Sequence, residues 1–204
     1  MKKFIPILVY HSLDPKRFPN KLAISPGLFR EQMLWINQSR CQVIGLEACA
    51  KGEWKESFWE RKIAITFDDG YVDNYQQALP ILKEFGFPAT FFVTTEDVGK
   101  EGFMTWDMLR EMAKVPGIEI GSHTLEHKPL SDMPGTEART SVVVSKKVLE
   151  EKLGREIKAI SYPCGSFDEG IIEMARSAGY AYGCAASHVH DRRWFGVYFN
   201  LFGG

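Results

Sequence analysis

The chain has 204 residues, of which 45% are hydrophobic, and its 25 basic and 26 acidic side chains leave a net charge of -1. This length and composition favour a single globular domain, residues 1–204, with its own hydrophobic core. The balanced charge argues against nucleic acid or an anionic membrane surface as a partner. No apolar run reaches the length needed for membrane insertion.

The N-terminus starts like a signal peptide, with Met1–Lys3 followed by the apolar stretch Phe4–Val9. That stretch is too short for an export signal and is not followed by a small-residue cleavage site. The four cysteines show no CxxC spacing and are interpreted as thiols. These features favour a cytoplasmic protein, with an exported protein trimmed of its leader as the alternative.

Short apolar strands alternate with helical segments along the chain. The predicted strands are Phe4–Tyr10, Gln42–Ile44, Lys62–Phe67, Ala89–Val93, Ile118–Gly121, Ala159–Tyr162, Ala181–Ala186 and Val197–Phe199. The predicted helices are Pro26–Arg40, Tyr75–Phe85, Thr105–Lys114, Thr136–Leu153 and Asp168–Ser177. The alternation indicates parallel β/α units. It predicts an α/β fold: a small, distorted (β/α) barrel with about seven parallel strands.

Capping signals support two of these helices. Ser25 and Pro26 are typical of an N-cap followed by the first helical position. Asp73 and Gln76 predict a capping box ahead of Tyr75–Phe85, and Gly86 predicts the end of that helix.

Two motifs carry the functional signal. Thr66–Gly70 (TFDDG) comes directly after the apolar run Lys62–Ile65, and Ser122–His127 (SHTLEH) comes directly after Ile118–Gly121. His123 and His127, four residues apart on one predicted helical turn, can bind a single cation together. A carboxylate from another strand end would add a third ligand and leave a position open for water. This ligand set suits zinc, and cobalt, nickel, manganese and iron are alternatives.

The candidate residues share a position relative to the predicted strands. His11, Asp68, Asp69, His123 and the turn Tyr162–Gly165 all fall at the C-terminal end of a strand. In β/α barrels that face carries the active site. We therefore expect these distant segments to form one site.

The two motifs, together with Pro88–Val93 and Met104–Trp106, occur in an order that resembles the NodB-type polysaccharide deacetylases, carbohydrate esterase family four. The resemblance covers about residues 4–186. It implies a metal-dependent hydrolase that removes the acetyl group from an N-acetylated saccharide or glycan precursor.

The resemblance also implies roles for individual residues. Asp69 would join His123 and His127 on the metal, and Asp68 would be the base that takes a proton from the attacking water. The backbone N–H at Tyr162 would stabilise the oxyanion. Many family members carry an arginine that orients the base near this turn, where this chain has Ser161.

Most family members place the histidine that protonates the leaving amine late in the chain. This chain instead has an apolar strand ending in His11, which resembles a circularly permuted subset of the family. His11 is therefore the predicted general acid, with His188 and His190 as alternatives.

Two residues are predicted to contact the substrate. Trp106 would offer an aromatic wall to a sugar ring, with core packing as the alternative, and Pro163 lies in the turn that follows Tyr162.

Two other functions remain open at this point. The site would also suit a metal-dependent hydrolase of a small non-peptide amide, or a non-catalytic glycan-binding or metal-binding module. An intact Asp68 argues against the binding module, because a binder has no use for a base. The aromatic tail, Asp191–Gly204, is interpreted as a last barrel strand or an interface patch.

Overall fold

The structure, a computed structural model, describes residues 5–17, 22–39, 41–51, 61–187 and 196–199. Its strands are β1 Ile7–Tyr10, β2 Cys41–Val43, β3 Arg61–Phe67, β4 Ala89–Val93, β5 Ile118–Ser122, β6 Ala159–Tyr162, β7 Tyr182–Ser187 and β8 Gly196–Phe199. Its α-helices are α1 Pro26–Gln38, α2 Leu46–Ala50, α3 Leu79–Phe85, α4 Trp106–Met112, α5 Gly135–Leu153 and α6 Glu169–Ser177. A π-helical turn, Asn74–Ala78, leads directly into α3.

The strands form one curled sheet. The pairings β3–β4, β4–β5, β5–β6 and β6–β7 are parallel, and β1 and β2 both pair with the other edge of β3, also in parallel. β8 is antiparallel to both β7 and β1, so the pairings return to the first strand. The predicted barrel with about seven parallel strands is confirmed, and β8 adds an antiparallel strand from the tail.

Side chains alternate across the sheet because successive residues of a strand point to opposite faces. One buried cluster fills the inside of the curl, and its members are Ile7, Val9, Leu46, Cys49, Ala64, Phe92, Ala159, Tyr182 and Cys184. The opposite strand faces, including Ile65, Phe67 and Phe91, pack with the helices in a larger cluster. The inward alternation leads from Ala159 to Ser161 within β6, and past the ends of β1 and β3 it leads from Val9 to His11 and from Thr66 to Asp68.

The interior also explains why Gly121 lies in β5. A Cβ at this position would lie 2.6 Å from the ring of Phe92, whose side chain is fully buried. Glycine is therefore required where β5 passes the aromatic side chain that fills the barrel.

Most helix predictions are confirmed to within a few residues, and the Ser25 hydroxyl accepts the N–H of Leu28 as expected of an N-cap. The capping box at Asp73 and Gln76 is wrong, because Asp73 is itself helical and its carboxylate makes no capping hydrogen bond. The short helix α2 was not predicted. Within the described residues, no helix is long and apolar enough to cross a bilayer.

Candidate metal-dependent active site

The parallel strands bring the two sequence motifs to one end of the barrel. The N–H of Asp68 donates to the carbonyl of Tyr10 at 2.9 Å, which ties the end of β3 to the end of β1. The N–H of His123 donates to the carbonyl of Val93 at 2.9 Å, which ties the end of β5 to that of β4. The strand ends are thus in register where the polar side chains begin.

Asp69 sits in an unusual backbone conformation. Its φ is 74°, followed by Gly70 with φ 84°, so two successive residues occupy the left-handed region. A non-glycine residue there is uncommon and is often found at functional sites. The turn makes Asp68 and Asp69 point in different directions: Asp68 contacts Ser161, and Asp69 faces His123 and His127.

Asp69, His123 and His127 form a cluster that could hold a metal ion. Their three potential ligand atoms lie within 4.8 Å of one another. The Asp69 Oδ1 atom is 3.5 Å from His123 Nε2 and 3.3 Å from His127 Nε2. His123 is buried, whereas 42% of the His127 side chain is exposed, so the cluster opens to solvent on the His127 side.

The two histidines do not lie on a helical turn, so that prediction is wrong. They lie in an irregular loop after β5 in which Thr124 has a positive φ of 66°. The loop is anchored by the N–H of Leu125, which donates to the hydroxyl of Ser141 in α5 at 3.2 Å. The loop, rather than helical periodicity, brings both imidazoles to Asp69.

The tautomer of His123 is fixed by its surroundings. Its Nδ1 lies 3.0 Å from the carbonyl oxygen of Ser161. Since a carbonyl oxygen only accepts, Nδ1 carries the proton, and Nε2 keeps its lone pair toward Asp69. Burial lowers the pKa of His123 to about 4, which keeps the imidazole neutral and able to ligate.

These residues fit a divalent cation. Asp69 Oδ1 is buried and has no hydrogen-bond partner among the described residues, although it faces two imidazole nitrogens. A buried carboxylate oxygen without a partner is costly, and a cation would satisfy it. One carboxylate and two imidazoles are the donors that zinc and neighbouring transition metals bind.

Asp68 lies beside this cluster and is buried, with 3% of its surface exposed. Burial, together with the neighbouring charge of Asp69, raises the pKa of its carboxyl well above the usual value. The Ser161 hydroxyl, which donates to Asp68 Oδ2 at 3.4 Å, lowers that pKa. Ser161 therefore contacts Asp68 through its side chain and His123 through its carbonyl, a double role that the sequence did not reveal.

His11 follows β1 and is partly buried. Burial lowers its pKa, the charge of Asp69 opposes this effect, and His127 adds to it. His11 also acts electrostatically on His123, so it lies near the three candidate ligands. The alternative donors His188 and His190 lie outside the described residues.

The remaining predicted residues are Tyr162, Pro163 and Trp106. Tyr162 ends β6, and its buried ring stacks on Phe167 with the ring centroids 5.7 Å apart. Pro163 is buried at the start of a 3₁₀ turn that runs to Gly165. Trp106 begins α4, where it is half-buried and packs against the main core.

Comparison with known proteins identifies the family. The sequence profile described as polysaccharide deacetylase matches residues 55–183. YxkH of Bacillus subtilis (strain 168), named for the same family, is 32% identical over 95% of this chain and 68% of its own length. The poly-beta-1,6-N-acetyl-D-glucosamine N-deacetylase of Staphylococcus aureus (strain MRSA252) is 30% identical over 88% of this chain. The chain spans 66% of that relative's length.

A solved structure supports the same relationship. The Streptococcus pyogenes deacetylase PplD, determined in complex with acetate, aligns with a TM-score of 0.78 and 27% identity over 88% of this chain and 82% of its own. With the profile match over more than half its length, the chain belongs to the polysaccharide deacetylase family of hydrolases, which act on carbon–nitrogen bonds other than peptide bonds.

Proposed function

We propose that this protein is a metal-dependent N-deacetylase of an N-acetylated glycan, with Asp69, His123 and His127 holding one divalent cation, most suitably zinc. The observation that carries the proposal is the convergence of three ligand atoms within 4.8 Å, beside the buried carboxylate of Asp68. The names of relatives support an N-acetylglucosamine polymer as the substrate class.

When bound, a divalent cation supplies Lewis-acid chemistry, which polarises an acetyl carbonyl and makes water a stronger acid. Asp68 is placed to accept the proton of the attacking water. One of its oxygens, Oδ1, has no hydrogen-bond partner among the described residues, and the other faces Ser161. An unpaired acceptor in a buried site is suited to this transfer.

Attack of water on the acetyl carbonyl gives a tetrahedral intermediate with a negatively charged oxygen. The backbone N–H at Tyr162 is proposed as a donor to this oxygen, because β6 ends there and Pro163 turns the chain away. The amine must then leave with a proton. His11 is proposed to donate it, since it follows β1 at the same end of the barrel and is close enough to Asp69, His123 and His127 to interact with them electrostatically.

The strand pairings support the proposed permuted arrangement. β1 lies between β3 and β8, so the first strand of the chain occupies a place inside the barrel wall. An acid at the end of β1 can therefore reach the same mouth as residues that come much later in the sequence.

Of the alternatives, a binding module would not need the buried, partly unpaired Asp68. A hydrolase of small amides can bind its substrate in a closed pocket, whereas a glycan deacetylase needs an open groove. The exposed side of His127 instead supports access by a long chain.

The proposal is tested by acetate release from N-acetylglucosamine oligomers, measured before and after chelation and again after zinc is restored. We expect release that a chelator abolishes and zinc restores. Absence of release from zinc-loaded protein would contradict the proposed substrate class, and chelator-resistant release would contradict the metal.

A further inference from the structure

The segment that carries His11 is held in place by two buried polar residues of a different part of the chain. The carboxylate of Asp73 accepts the Ser12 hydroxyl at 2.6 Å and the N–H of Leu13 at 3.0 Å. The amide of Asn74 donates to the carbonyl oxygen of His11 at 2.7 Å. We call Asp73 and Asn74 the clamp.

The clamp is a connected, water-excluded network. Asn74 and Ser12 are fully or almost fully buried, and Asp73 is 7% exposed. Asn74 Nδ2 also donates to Asp73 Oδ1 at 2.9 Å, so the two clamp residues fix each other. Buried networks of this kind hold their members in one geometry, because breaking a bond leaves an unsatisfied group without water.

The orientation of the Asn74 amide is determined by its partners. Its nitrogen faces two oxygens, the carbonyl of His11 and the carboxylate of Asp73, which can only accept. A flipped amide would place its oxygen against both acceptors. The NH2 group is therefore the part of Asn74 that the site requires.

The backbone explains how Asn74 reaches His11. It begins the π-helical turn Asn74–Ala78 only a few residues after the turn that carries Asp68 and Asp69. Such turns are rare and are frequently found at functional sites. One stretch of chain thus supplies Asp68 and Asp69 to the barrel mouth and then supports the neighbouring strand end that carries His11.

We propose that Asn74, oriented by Asp73, is a positioning residue for His11 and sets the point from which the imidazole delivers its proton. This inference rests on the proposed function, in which His11 protonates the leaving amine. Asn74 touches the His11 backbone and acts on the reaction only through it.

The test compares two acetyl substrates that differ in their need for an acid. An amine leaves from N-acetylglucosamine oligomers only with a proton, whereas the 4-nitrophenolate of 4-nitrophenyl acetate leaves as an anion. Zinc-loaded Asn74→Leu, which keeps the side-chain size and loses both donors, is compared with wild type on both substrates. Asn74→Ala replaces it if the leucine variant does not fold.

We expect the kcat for the oligomers to fall about 10- to 100-fold, because a displaced acid loses much of its contribution. KM, zinc content and 4-nitrophenyl acetate hydrolysis should stay within about threefold of wild type, since the clamp touches none of the proposed ligands. The matched control is Gln77→Leu, which removes an exposed amide from the same π-helical turn. This variant should keep the wild-type kcat for the oligomers.

Equal losses on both substrates would overturn the proposal, because they would indicate a general structural role. Wild-type oligomer turnover by Asn74→Leu would also overturn it. Measuring His11→Ala in the same assays distinguishes failure of the clamp proposal from failure of the proposed function. If His11→Ala deacetylates the oligomers at the wild-type rate, the acid assignment is wrong; if it is slow while Asn74→Leu is not, only the clamp is wrong.

Discussion

The Nδ1–H of His123 donates to the backbone carbonyl of Ser161 at 3.0 Å, joining the loop after β5 to the strand β6. This bond directs Nε2 toward Asp69 and selects the tautomer that can ligate. Partners of this kind commonly orient metal-binding histidines. Because the acceptor is a backbone atom, removal of the Ser161 hydroxyl alone leaves this hydrogen bond in place.

His123→Ala should remove metal and activity together. It deletes the buried member of the proposed ligand set and leaves one imidazole and one carboxylate, so we expect zinc affinity to fall at least about 100-fold. The measurement is zinc content after dialysis, alongside acetate release. A matched control is Lys128→Ala, an exposed change in the same loop. Full zinc occupancy in His123→Ala would show that His123 is not a ligand.

Asp68→Asn should separate binding from chemistry. The amide fills the same space and can still meet Ser161, but it cannot accept a proton from water, so turnover should fall about 100-fold or more. Zinc content should be unchanged because Asp69, and not Asp68, faces the imidazoles. An Asp68→Asn enzyme with normal turnover would eliminate Asp68 as the base.

Ser161→Ala should shift the acidic limb of the pH–rate profile upward. The hydroxyl lowers the pKa of Asp68, which burial and Asp69 raise, so its removal raises that pKa further. A base must be ionised to act, and activity should therefore begin at a higher pH. The profile of kcat/KM against pH is the measurement, with the exposed Ser177→Ala as control. If the acidic limb stays at the same pH or moves to lower pH, the Ser161 hydroxyl does not lower the pKa of Asp68.

Metal-free protein should lose stability as the pH falls, because of His123. Its pKa is lowered from 6.5 to about 4 by burial, so the unfolded chain takes up a proton before the folded one does. The contribution of the neutral His123 imidazole to the free energy of unfolding is present above about pH 6.5 and is lost as the pH falls toward 4. Between pH 7 and pH 5 the expected loss is about 2 kcal/mol.

Urea unfolding of chelated wild type and His123→Asn at both pH values isolates this contribution, because the asparagine does not titrate. The loss should be smaller in the variant by about 2 kcal/mol. Identical pH dependence in the two proteins would rule out a depressed pKa at His123.

The local features of the fold were accessible from the sequence because they depend on neighbours along the chain. The apolar run that becomes β3 and the Ser25 cap of α1 are both read from a few adjacent residues. The alternation of side chains along a strand also places two candidate residues, because His11 and Asp68 continue the inward positions of β1 and β3. The motif order was enough to identify the family, and the matches to known proteins confirm it.

Other features depend on contacts between residues far apart in the sequence, and only the tertiary structure determined them. The pattern at Asp73 indicated a helix cap, yet its carboxylate binds the Ser12 hydroxyl 61 positions earlier in the chain. The histidines were predicted on a helical turn, but their loop is tied to Ser161 and Ser141, which are brought near by the barrel. A strand was predicted at Val197–Phe199, but its antiparallel pairing with both β7 and β1 was determined only by the folded barrel. A side chain's local preference is worth about 1 kcal/mol or less, whereas leaving a buried polar group unpaired costs about 1–3 kcal/mol, so the folded surroundings decide such cases.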